Sequence, residues 1–162
     1  MARKFTGLAI GGADPNGLAR FWCSVLDYEV QDEHDGIVTI GSPMVPEGKN
    51  HLGPVPPTLT FAHVPEGKTV KNRLHIDVNP TDREQDEEVR RLLDLGAQHA
   101  DVGQGDVSWV VLADPEGNEF CVLASRRPGS AAAHSARPTS SRQAPRSRER
   151  QGAVQRWIPP DR

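Results

Sequence analysis

Apolar and polar positions along the first 125 residues fall into two rhythms, and the succession of rhythms occurs twice. Residues 5–11 alternate weakly with a period of two, as a half-buried strand does. Asp14 then offers a helix N-cap, with Pro15 at the first helical position. Leu18, Phe21, Trp22, Val25 and Leu26 follow at helical spacing, a stripe that packs one helix face on a sheet. Strands are expected at residues 28–32, 37–41 and 57–64, with a Pro- and Gly-rich loop over 42–56. The first half therefore reads β-α-β-β-β.

The second half opens on an expected strand at 72–78, with Leu74, Ile76 and Val78 on one face and Arg73, His75 and Asp77 on the other. Thr81 and Glu84 have the spacing of a capping box, and Val89, Leu92 and Leu93 form the stripe of a second helix closed by Gly96. The acidic run from Asp82 to Glu88 reads as a solvated first turn. Further strands are expected near 97–102, 107–113 and 118–124. Asp114-Pro115-Glu116-Gly117 between the last two is a hairpin turn, in which proline presets the turn and glycine takes positive φ. This half is again β-α-β-β-β, a repeat of pattern more than of residues.

Charge divides the chain more sharply than its formal net of −3 suggests. Residues 126–162 hold nine arginines against Glu149 and Asp161, which leaves ten basic and twenty acidic residues in the first 125. An acidic body disfavours binding to a phosphate backbone and favours neutral or cationic ligands by long-range field. Residues 126–162 are poor in large apolar side chains and cannot offset their ordering entropy, so a disordered basic tail is expected there. Such a tail could contact nucleic acid, with steep salt dependence as the signature, but it lacks interleaved aromatics. Cys23 and Cys121 lie in apolar stretches and read as buried thiols. No run approaches the length of a membrane span, and the short N-terminal stretch is broken by Thr6, Gly7, Gly11 and Gly12, so a first strand in a cytoplasmic protein is expected.

Three segments together resemble the vicinal oxygen chelate superfamily, the glyoxalase/bleomycin resistance/dioxygenase group, and in particular its glyoxalase-like branch. They are residues 17–22 (GLARFW), 71–77 (KNRLHID) and 114–120 (DPEGNEF). The resemblance implies an α+β domain over residues 1–125, built from two paired βαβββ modules at about 5–64 and 71–125 that curl into a mixed-sheet cup around one ligand cavity. It also implies a small-molecule ligand, frequent homodimerisation, and metal ligands drawn from four strands.

Strand parity sends Leu74, Ile76, Phe120 and Val122 towards the helices, so His75, Asp77, Glu119 and Cys121 are expected to face the cavity. An imidazole and a carboxylate facing one cavity suit a divalent zinc, iron or manganese ion, or acid/base catalysis. By resemblance, His75 and Glu119 fall on the second module's metal positions. The first module departs from the pattern, with Gly7 where the family often has His, and Thr60 or Ala62 where Gln or Glu is usual. His63 would supply a third metal ligand only through a bulge, and His51 is a looser candidate. Each residue also has a plainer reading: His75 as a hydrogen-bonded cavity histidine, and Glu119 as an acceptor for backbone groups or Arg73. Trp109 is either a cavity wall for a flat ligand or ordinary core. The functions left open are a lyase, isomerase or dioxygenase acting through His75 and Glu119, and a metal-free ligand-sequestering protein of the bleomycin-resistance type with Trp109, Asp77 and Cys121 among its ligand contacts.

Overall fold

The computed structural model describes residues 4–124, and the Arg-rich segment expected to be disordered lies outside them. The first sheet has the order β1-β4-β3-β2, formed by β1 (Gly7–Gly12), β2 (Glu29–His34), β3 (Ile37–Gly41) and β4 (Thr58–His63). The second has the order β5-β8-β7-β6, formed by β5 (Ile76–Val78), β6 (Gln98–His99), β7 (Val110–Ala113) and β8 (Glu119–Val122). Helix α1 (Pro15–Leu26) follows β1 and helix α2 (Gln85–Asp94) follows β5. In each sheet the first strand pairs in parallel with the last, and the other pairings are antiparallel. The α+β class and the doubled βαβββ order thus follow the sequence pattern. Among the described residues no helix is long and apolar enough to cross a membrane.

Helix α1 begins as expected. The Asp14 side chain accepts a hydrogen bond from the Gly17 amide, Pro15 occupies the first turn, and Leu18, Phe21 and Trp22 are buried. Their partners are Val38 and Ile40 of β3, Leu59 and Phe61 of β4, and, from the second module, Leu92, Leu112, Phe120 and Val122, all in one hydrophobic core. Phe21, Trp22 and Phe120 meet edge to face, with centroid separations of 5.2 to 6.0 Å. Aromatic packing of that geometry adds about 0.5–1.5 kcal/mol per pair beyond area burial. The core therefore crosses the boundary between the modules.

Several boundaries differ from the sequence reading. Pairing of β5 begins at Ile76, not Asn72, because the Asn72 amide donates to the Glu119 side chain and draws the preceding residues off the ladder. Leu74, expected against the helices, is 73% exposed. Helix α2 starts at Gln85 with Glu84 as its N-cap, so the Thr81 capping box does not form. The Gln85 side chain instead donates to the Ser108 and Val122 carbonyls, fixing the helix start to the second sheet. Glu88, assigned to a solvated turn, is 7% exposed and paired with Arg91 at 2.6 Å and with Arg83 at 3.5 Å. Strand β6 keeps only two of the residues expected near 97–102, and β7 and β8 are shorter than the apolar runs that suggested them.

The turn at residues 114–117 forms as read, with the Asp114 amide donating to the Asn118 carbonyl, the Gly117 amide to the Asp114 carbonyl, and Gly117 at φ +85°. It does more than reverse the chain. The Asp114 carboxylate is 2% exposed and accepts from the Glu116 and Asn118 amides, the Asn118 carboxamide and, 3.1 Å away, the Trp22 indole N–H of α1. The Glu116 side chain also receives the Asp14 amide at 2.9 Å. A hairpin of the second module therefore caps the first helix.

Candidate functional site

Strands β1 and β5 each lie at an edge of their sheet. A cleft of about 360 Å³ is lined by residues from both: Leu8, Ala9, Ile10 and Gly11 on one side, and Ile76 with the preceding Asn72, Arg73 and Leu74 on the other. Trp22 reaches it from α1, and Asn118 and Glu119 from the start of β8. Its volume lies within the range of small-molecule sites, and its lining is predominantly apolar with a few polar groups, as such sites usually are.

Glu119 is held from the segment that joins the modules. Its Oε1 lies 2.7 Å from Lys68 Nζ and its Oε2 accepts the Asn72 amide at 3.0 Å. Burial favours the neutral acid, but these donors and the nearby ammonium outweigh it and hold the carboxyl below its ordinary value of 4.5. The backbone partner agrees with the plainer sequence reading, whereas the cationic partner is Lys68 and not Arg73. Lys68 carries no periodic or motif signal, and only folding brings it to residue 119.

His75 and Asp77 gather instead at Cys121. His75 Nδ1 lies 3.4 Å from Cys121 Sγ, and Asp77 faces Cys121 across the β5–β8 ladder. Burial, reinforced by the Asp77 charge and hydrogen bond, pushes the thiol up to about 11, so at neutral pH it is held in its protonated form. Cys23 is half-buried and its thiol is likewise raised, chiefly by burial and then by Glu29; both cysteines are free. Trp109 is half-buried just before β7 and does not line the cleft.

On the first sheet, alternation turns Gly7, Ala9, Thr58, Thr60 and Thr39 away from the core, and the Thr39 and Thr60 hydroxyls lie 3.0 Å apart. A side chain at position 7 has no room, since a Cβ there would stand 2.6 Å from Thr58 Oγ1 and 2.9 Å from the Thr58 carbonyl oxygen. His63 is exposed at the end of β4, its Nδ1 3.2 Å from the Ala13 carbonyl, and His51 Nδ1 accepts the Gly53 amide. Among the described residues, no group of three or more His, Cys, Asp or Glu side chains could hold a metal ion. These donors do not fit a divalent metal centre, which ordinarily needs three protein ligands.

Paired βαβββ modules with a cleft where their first strands approach define a class of two-module α+β domains. Within that class, the chain belongs to the glyoxalase-like domain family, whose profile matches residues 8–123. Solved structures agree on the fold. A glyoxalase/bleomycin resistance protein/dioxygenase family enzyme from Burkholderia phytofirmans PsJN superposes with a TM-score of 0.55 at 12% identity, over 74% of this chain and 97% of that one. A protein from Agrobacterium tumefaciens gives 0.54 at 13% identity, over 77% and 98%. The fosfomycin resistance protein FosX from Listeria monocytogenes, solved with Mn(II) and 1S,2S-dihydroxypropylphosphonic acid, gives 0.53 at 15% identity, over 77% and 92%. No curated protein matches the chain.

Proposed function

We propose that this protein binds a small molecule in the cleft between β1 and β5 and does so without a resident metal ion, as a ligand-sequestering member of its family. The observation that carries this is the commitment of Glu119: both carboxylate oxygens are taken by Lys68 and the Asn72 amide. Support also comes from position 7, where Thr58 leaves no space for a ligating side chain, and from His75, which is directed at a protonated thiol. Lys68 gives the carboxylate the positive neighbour that a metal ion would otherwise supply. The cleft adds apolar walls from both modules, suited to enclosing a compact ligand.

Elemental analysis of protein purified without a tag or chelator, before and after incubation with Mn(II), Fe(II) or Zn(II), tests the proposal. The expected result is far less than one metal per chain, with no difference between the wild type and His75→Ala. Near-stoichiometric metal that His75→Ala and Glu119→Ala each remove, with the fold retained, would overturn it in favour of metal-assisted catalysis.

A further inference from the structure

The charged side chains lining the cleft are Arg73 and Glu119. Glu119 is neutralised within the protein by Lys68, so its charge is not available to a cationic ligand. Arg73 is exposed and makes no ion pair among the described residues. Against the cleft's apolar walls this leaves one uncompensated positive charge among the lining residues. The long-range field of the acidic body favours neutral or cationic ligands, but a guanidinium at the rim acts at contact distance, where screening by solvent and salt is least. Its planar fork also matches a carboxylate with two parallel hydrogen bonds, a match that an ammonium does not offer.

We propose that Arg73 anchors the carboxylate of the cleft's ligand, so that the site selects a small monocarboxylate with an apolar body. The body lies against Leu8, Ile10 and Ile76, and the carboxylate stays at the rim, where ion pairing does not require burying an unpaired charge. This inference rests on the cleft being the ligand site, and the experiment separates the two.

The probes are indole-3-acetate, indole-3-acetamide and tryptamine, one ring system carrying a negative, a neutral and a positive group. Each is titrated into the full chain to millimolar concentration while the backbone amide resonances of residues 8–11 and 76 are followed by NMR. The expected result is saturable shifts at those amides with the acetate, and a dissociation constant about tenfold weaker for the acetamide, the loss of one charge-assisted contact. Arg73→Gln is expected to weaken the acetate by a similar factor and leave the acetamide unchanged, whereas Arg90→Gln, an exposed charge change on α2, alters neither. Acetamide or tryptamine binding as tightly as the acetate, with no effect of Arg73→Gln, would overturn the role of Arg73 while leaving the cleft as the ligand site. No shifts at the cleft with any probe would overturn the cleft reading, and the inference with it.

Discussion

On the face turned away from the helices, the first sheet presents Gly7 and Ala9 on β1, Thr58 and Thr60 on β4 and Thr39 on β3; the second presents Asp77, Glu119 and Cys121, with His75 just ahead of β5. On the helix side the two sheets are alike, with Val38, Ile40, Leu59 and Phe61 in one and Leu112, Phe120 and Val122 in the other, all buried. A doubled module keeps its shared core because both halves must shield the same helices from water. The other face carries no such obligation, and there the halves differ: one holds three hydroxyls with Gly7 and Ala9, the other imidazole, carboxylates and thiol. The ionisable side chains of this face therefore belong to one module, while both modules contribute walls to the cleft.

The largest effect expected is at the clasp between the modules. Asp114→Ala strands the Trp22 indole and two amides of the hairpin in a buried setting, and should lower stability by about 3 kcal/mol. Denaturant unfolding would measure it; a loss under 1 kcal/mol would mean that the halves stand independently. Second comes Gly7→His, which places an imidazole where the resemblance led one to expect a ligand. It should cost about 1–3 kcal/mol by displacing Thr58, without any gain in metal content. A well-folded variant that binds one Mn(II) would erase the contrast between the faces.

Glu119→Gln tests the second face through pH. The native carboxyl titrates below 4.5, so its ion pair contributes fully above that value and is lost as the pH falls through the lower native value. The stability gap between the wild type and Glu119→Gln should therefore be about 1 kcal/mol at neutral pH and close as the pH falls through the lowered native value. A gap that widens on acidification would refute the assignment. Smallest is Thr39→Val, which removes one hydroxyl of the pair with Thr60 and should cost about 1 kcal/mol or less. The double change with Thr60→Val is expected to cost less than the sum of the two, since neither hydroxyl is then left without its partner.

The parts of the fold that were legible in the sequence are those where one local rule dominates. The Asp14-Pro15 start of α1, its apolar stripe and the 114–117 turn follow from capping, periodicity and turn chemistry. Leu74 and Glu88 were misread because their surroundings are set by distant partners: the Asn72–Glu119 contact upstream of β5, and Arg83 and Arg91 around the glutamate. The candidate site divides in the same way. Parity gathered Asp77 and Cys121, which face each other across one ladder, and His75 just before it, whereas Lys68 carries no local signal of its role and reaches Glu119 across 51 residues. The burial of Asp114 was equally invisible, because an Asp-Pro turn ordinarily lies at the surface.

The Trp22–Asp114 hydrogen bond spans 92 residues of chain. As the protein leaves the ribosome, α1 can form early, but its indole N–H gains a partner only once the hairpin carrying Asp114 has emerged. Until then Phe21 and Trp22 lack the Phe120 ring that completes their packing. The first module is consequently an unfinished surface until that hairpin is made, and a chain terminated before residue 114 would expose aromatic side chains that invite aggregation. The same long-range closure means that the shared core is complete only when the hairpin of residues 110–122 is in place.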